Sequence, residues 1–331
     1  MSDYNIQGAG GNVKDSNAEP TASAVASAAT GGSNNNGTST RQASLMGDAF
    51  RDLRKRPRVI FSVIVIVPIL LIAFVPQLFT SIDPEVCKIG KAMNGPTSGH
   101  IFGFSSDGCD YYAQTIYGAG PSIKLSLLVT IGTLVIGGLI GVLAGYYGGW
   151  VDAVFSRMVD TFNSIPFLLG AILVLTMFRN IEIPFVGAQL AAILPAVFAL
   201  IFFGWTSNMR LIRASVIESR NLDYVQAARS LGASNRRIMF RHILPNAIAP
   251  VMSLIPLTIA GMVSTESVLS FLGIGVQPPA ISWGIMIDDA TDHFMQHPMM
   301  LVIPSTLLVL TVLSFVLLGD AIRDALDPKL R

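Results

Sequence analysis

Long uncharged stretches recur along the chain. The first runs from Val59 to Thr80, directly behind the basic cluster Arg51, Arg54, Lys55, Arg56 and Arg58. Others lie between Lys124 and Asp152, between Asp160 and Arg179, between Glu182 and Arg210, from Ile243 to Thr265, and from Pro298 to Gly319. A helix rises about 1.5 Å per residue, so about 20 apolar residues cross a hydrocarbon core. The pattern therefore predicts an all-α polytopic membrane protein with six transmembrane helices. Residues Ser267 to Ile287 are also uncharged, but Gly273, Gly275, Pro278, Pro279 and Gly284 break any helix in their middle. Irregular backbone at membrane depth survives only where protein or a water-filled cavity covers it. This stretch reads as an external loop that dips back into the membrane, not as a span.

Charge placement sets the expected orientation. With the N-terminus in the cytoplasm, every Lys and Arg except Lys88, Lys91, Lys124 and Arg179 falls on the cytoplasmic side. That asymmetry is the positive-inside signature, and it puts both termini in the cytoplasm. A seventh span would move Arg323, Lys329 and Arg331 outside.

Composition agrees with a bilayer as solvent. Hydrophobic residues make up 51% of the 331 positions and charged residues only 13%, with a mean hydropathy of +0.58. Soluble domains carry about 25% charged residues, so this chain lacks the polar surface a water-soluble body needs. A net charge of +1 gives no reason to expect a nucleic-acid partner. No G-x-x-x-x-G-K-[ST] loop is present, so nucleotide binding through a P-loop is not expected. Residues 1–45 are rich in Ser, Ala, Gly, Asn and Thr, a composition that cannot offset its own ordering entropy. They read as a disordered polar tail without a secretory signal. The remaining organisation is a first helix and external loop at 46–120, a transmembrane core at 121–320, and a cytoplasmic tail at 321–331.

Cys87 and Cys109 both fall in the first external loop. Disulfides persist outside the membrane, and two cysteines in one oxidising loop suggest a bridge. The alternative is a pair of free thiols, since spacing alone cannot establish the geometry.

The longest cytoplasmic loop, 210–245, reads RLIRASVIESRNLDYVQAARSLGASNRRIMFRHILP. Asp223 or Asn221 can cap a short helix starting near Tyr224, and Gly232 suits the left-handed position that ends one. Ser234 can cap a second helix from Asn235 to Leu244, with Pro245 starting the next span. Ala227 and Ala228 offer a face for close approach, ringed by Arg229, Arg236, Arg237 and Arg241. That surface suits docking of a cytoplasmic protein, and equally suits contact with anionic lipid head groups.

The string QAARSLGASNRRIMFRHILP resembles the EAA loop of permease subunits in ATP-binding-cassette importers, matching it at Ala227, Ala228, Gly232, Leu244 and Pro245. Gln226 stands where the family carries an acid, and His242 where it carries an isoleucine. HIFGFSSDGCDYYAQTIYGA, GYYGGWVD, ESVLSFLGIGVQPPAISWGIMI and LLGDAIRDALDPKLR narrow the resemblance to the C-type subunit of dipeptide/oligopeptide permeases, over about residues 51–331. Cys109 sits where relatives commonly carry an arginine.

The resemblance implies a type I importer permease fold in a bacterial plasma (inner) membrane. It implies a homologous permease subunit as heterodimer partner, two cytoplasmic ATPase subunits that bind the ATP and Mg, and an external substrate-binding protein. This chain would carry no cofactor, metal or catalytic residue of its own. The coupling residues it implies are Asp223, Tyr224, Gln226, Ala227, Ala228, Arg229, Leu231, Gly232, Arg236, Arg237, Leu244 and Pro245. Related permeases carry peptides, glutathione, nickel chelates or oligosaccharides.

Glu266, at the outer end of the fifth span, is a candidate for the translocation path; the alternative is an acid hydrogen-bonded to a neighbouring loop. Asp288, Asp289, Asp292, His293 and His297 have no compact metal-site spacing and read as a solvated loop. An intramembrane protease would need paired catalytic groups within spans, and the sequence offers no such pair. An ion-driven secondary transporter often uses buried charges at mid-span, which are missing here.

Overall fold

A computed structural model describes residue 53 and residues 56–178 and 187–326. The expected polar tail at 1–45 lies outside them. The described residues are mainly α-helical, with two isolated β-bridges among them, Thr97 to His100 and Phe104 to Asp110. The helices are α1 (Pro57–Phe74), α2 (Tyr111–Tyr147), α3 (Gly149–Ser164), α4 (Phe167–Phe178), α5 (Leu194–Arg220), α6 (Asp223–Ser230), α7 (Leu244–Phe271), α8 (Trp283–Thr291) and α9 (Pro298–Leu326).

Five of these are long and apolar enough to span a membrane, with Ala188–Ala191 extending α5. The third expected span, between Asp160 and Arg179, is a broken pair. Helices α3 and α4 meet at an 84° bend around Ile165 and Pro166. Pro166 has no N–H to continue the ladder of α3, and α4 alone covers only about 18 Å, less than a hydrocarbon core. The break displaces the single helix expected between Asp160 and Arg179; Arg179 itself lies outside the described residues.

Other boundaries also shift. Helix α2 begins at Tyr111, capped by Asp110, so Lys124 is inside it instead of flanking it. Helix α5 runs to Arg220, carrying Arg210 and Arg213 that were expected in the loop. Helix α7 reaches Phe271, so Ser267–Phe271 are helical, and only the Gly- and Pro-rich stretch after them is irregular before α8.

Helices α2 and α5 pack with their backbones nearly touching. Gly137, Gly141 and Gly145 recur every four residues on one face of α2. A Cβ at these positions would lie 2.5 Å from the Trp205 carbonyl, 2.7 Å from the Met209 carbonyl and 2.9 Å from the Arg213 carbonyl. Small residues at this spacing let membrane helices associate through van der Waals contact, since lipid supplies no hydrophobic drive.

Arginines close the same end of the pair. Arg213 forms a two-pronged ion pair with Asp152 of α3, its Nη2 donating at 2.6 Å. Arg220 donates to the Gly145 and Tyr146 carbonyls at 2.9 and 3.2 Å, satisfying free carbonyls at the end of α2. Arg56 before α1 pairs with Asp324 near the end of α9 at 3.5 Å, so α1 starts and α9 ends on one side.

Candidate coupling surface and outer loop

The segment between α5 and α7 is a folded unit, not a flexible linker. Helix α6 begins after Leu222, which has no side-chain cap; the expected cap from Asp223 or Asn221 is absent, because Asp223 already occupies the first turn. Its end follows the expected course. Gly232 has φ +77°, the left-handed region open to glycine, and the Ala233 N–H returns to the Ala228 carbonyl at 3.1 Å. Ser234 then caps the next helix by accepting from the Arg237 N–H. That helix, Asn235–Arg237, does not stop before the span. It widens into a π-helical segment, Ile238–Ile243, and runs straight into α7. Pro245 cannot donate to the carbonyl of Arg241, which fits a shifted ladder at this point.

One buried side chain anchors α6. Val225 is fully buried in an apolar cluster that also holds Val142 and Tyr146 of α2, Ile212 and Val216 of α5, and Ile238 and Ile243. Tyr224 adds a polar tie. Its hydroxyl accepts from Asn246 Nδ2 at 2.6 Å and donates to the His242 carbonyl at 3.3 Å. Because the backbone of His242 makes this contact, histidine in place of isoleucine leaves it intact. Gln226 donates to the Asn221 carbonyl at 3.2 Å, so the residue replacing the family's acid closes its own loop.

The opposite face is exposed among the described residues. Leu231 is 88% exposed, and Leu222, Tyr224 and Phe240 are exposed with Asp223, Gln226, Ala227 and Arg229. Ser234, Arg236, Arg237 and Phe240 line an adjoining open cleft of about 440 Å³. Leu244 is half-buried, while Pro245 is exposed. The expected coupling residues thus collect around α6 and the start of α7. Val225, Asn246, Arg213 and Arg220, which hold this unit in place, were not singled out from sequence. The glycine spacing of α2 was the one readable signal of that scaffold.

At the other end of the bundle, Cys87 and Cys109 are bridged, with Cα atoms 4.0 Å apart. The loop they close is ordered by backbone bonds from Lys88 N–H to Gly108 and from Met93 N–H to Ser105. Gly108 is required there: at φ +79°, a Cβ would sit 2.1 Å from the Lys88 carbonyl oxygen. Asp110 accepts from the Ala113 N–H at 2.6 Å and lies 2.5 Å from His100 Nδ1.

Ser106 donates to Asp289 of α8 at 3.2 Å, and burial pushes the Asp289 carboxyl above the ordinary range. Among the described residues, no three His, Cys, Asp or Glu side chains converge as a metal site.

Glu266 is 1% exposed. Ser270 donates to its Oε1 at 2.7 Å and Ser267 to its Oε2 at 3.4 Å, while Ser122 of α2 and Ser282, the cap of α8, face the same carboxyl. In this conformation the acid points into a cage of serines joining α2, α7 and α8.

Residues 137–331 match the family described as binding-protein-dependent transport system inner membrane component. The chain is 34% identical to the dipeptide transport system permease protein DppC of Alkalihalophilus pseudofirmus, across 86% of this chain and 90% of that one. It is 32% identical to the oligopeptide transport system permease protein OppC of Bacillus subtilis, across 88% and 92%. It is 35% identical to the glutathione transport system permease protein GsiD of Pectobacterium atrosepticum, across 78% and 83%. Its fold resembles a chain of the MetNI methionine ABC transporter in inward-facing conformations, with TM-score 0.52 at 20% identity over 65% of this chain and 96% of that one. The helical bundle and these relatives lead to one conclusion: the chain is a multi-pass membrane protein that belongs to the binding-protein-dependent transport system inner membrane component family.

Proposed function

We propose that this chain is a permease subunit of an ATP-driven importer of di- and oligopeptides in a bacterial plasma (inner) membrane. It pairs with a homologous permease subunit to form the translocation path. Two cytoplasmic ATPases drive it through α6, and an external binding protein delivers substrate at the disulfide-bearing end. The arginine-rich end faces the cytoplasm.

The observation that carries this reading is the construction of α6. The helix is exposed on one face and anchored on the other by Val225 to α2 and α5, and Tyr224 ties it to α7. A force applied to such an element reaches the spans as a rigid-body motion instead of dissipating in a linker. Gly232→Pro, which cannot adopt φ +77°, is expected to abolish ATP-dependent uptake while leaving the subunit in the membrane. Ala228→Trp should do the same by obstructing the docking face.

Substrate class is tested by uptake of labelled di- and oligopeptides in cells with and without the gene. Loss of peptide uptake, restored by the wild-type gene and not by Gly232→Pro, supports both parts of the reading. The relative named for glutathione transport gives the second reading, in which the same architecture carries glutathione. Unaltered peptide uptake with lost glutathione uptake would establish it. Nickel is the third cargo to include.

A further inference from the structure

At the bend between α3 and α4 a half-open cavity of about 360 Å³ lies against α5 and α7. Asn163 near the break, Thr206, Ser207 and Asn208 of α5 and Thr258 of α7 line one part of it, and Phe162, Phe167, Phe203 and Met262 are among those lining the rest. No Asp, Glu, Lys or Arg lines it. On α5 the lining residues lie in the last turns of the apolar run, just before Arg210, while Thr258 and Met262 of α7 lie well inside the apolar span Pro250–Phe271.

We infer that this cavity is where the permeant contacts the subunit, and that it recognises peptide backbone amides. Asn163 and Ser207 are exposed on the isolated chain and share the cavity with Thr258, inside the apolar span Pro250–Phe271, where polar groups against lipid are unfavourable. That face therefore meets water or protein. A helix broken within the membrane is likewise tolerated where the break lines a cavity.

The polar groups are only half used. Thr206 donates to Asn163 Oδ1 at 3.1 Å and Asn208 Nδ2 donates to Thr133 at 3.2 Å. Each amide thus spends one end on the protein and presents the other to the cavity. Uncharged amide and hydroxyl groups beside an apolar wall can pair with backbone N–H and C=O while ignoring side-chain charge. That suits a carrier of peptides of varied sequence, and the inference rests on the peptide reading above.

The test uses the complete importer, with partner permease, ATPases and binding protein, in proteoliposomes. A labelled neutral tripeptide is the probe. Asn163→Leu and Asn208→Leu should each lower its uptake about tenfold, with stimulation of ATP hydrolysis by the loaded binding protein retained. Asn208→Gln should recover most of the loss. Independently, Ser207→Cys should react with a small water-soluble thiol reagent, and more slowly while tripeptide is being transported. Cys87 and Cys109, being bridged, do not compete. Should a leucine variant fail to assemble, the Ser207→Cys protection decides alone. Unchanged uptake in the leucine variants, or an unreactive Ser207→Cys buried against the partner, overturns the site. If the wild-type complex moves no tripeptide, the peptide reading itself falls.

Discussion

Val225 carries more of the account than its size suggests. It is the one side chain of α6 that is fully buried, and the rest of that helix faces outward or is half-exposed. Truncating it to alanine removes buried methyl groups and leaves a small void, at a cost of about 2 kcal/mol. Val225→Ala should therefore loosen α6 without unfolding the bundle. The expected result is a several-fold fall in uptake, with normal membrane levels and an α6 region cut more readily by protease. Gly232 acts differently, since its role is conformational: φ +77° is costly to any side chain carrying a Cβ. The replacement of the family's acid by Gln226 has a structural consequence here, a hydrogen bond inside the loop. The glutamine still fits the same short helix.

Among the elements, the α2–α5 contact and the α8 contact give separate predictions. Gly141→Leu would force a side chain against the Met209 carbonyl and Ile212. It should lower the detergent-solubilised melting temperature and the yield of assembled protein, whereas Gly138→Ala, facing only the tip of Ile212 at 3.4 Å, should be tolerated. At α8, the Asp289 carboxyl is raised chiefly by its burial. A raised carboxyl contributes stability in its protonated form. The contribution is therefore complete below pH of about 4 and is lost as pH rises through the folded value. Resistance of the disulfide-bridged loop to protease should fall over that window, and Asp289→Asn should flatten the dependence.

How far the sequence could be read also differs by element. Charge-free runs located the helices α1, α2, α5, α7 and α9, because a bilayer demands a length that composition reveals. Their ends were less legible. Lys124, Arg210 and Arg213 sit inside helices, since a long membrane helix can project beyond the hydrocarbon and keep its charged residues paired or solvated. The break at Pro166 was missed because a proline in an apolar run leaves the run intact. The C-cap at Gly232 and the N-cap at Ser234 were legible, since few residues suit either position. Val225, the serine cage around Glu266 and the cavity at the bend of α3 and α4 depend on contacts between distant segments, which no local pattern records.

At the scale of the described residues, two ends of unlike chemistry are joined by a bundle of helices. One end is a disulfide-bridged loop pinned to α8; the other is an arginine-rich surface from which α6 projects. Between them, the bend of α3 and α4 leaves a cavity with a mixed polar and apolar lining against α5 and α7. This division fits an importer whose energy arrives at one end and whose cargo arrives at the other. The most direct test is ATP-driven uptake of a labelled dipeptide into proteoliposomes holding the complete complex, wild type against Gly232→Pro. The account predicts ATP-dependent uptake by the wild type, and an assembled variant that transports less than about a tenth as fast. Equal uptake by the two would contradict the role of α6 as the element that couples ATP to transport.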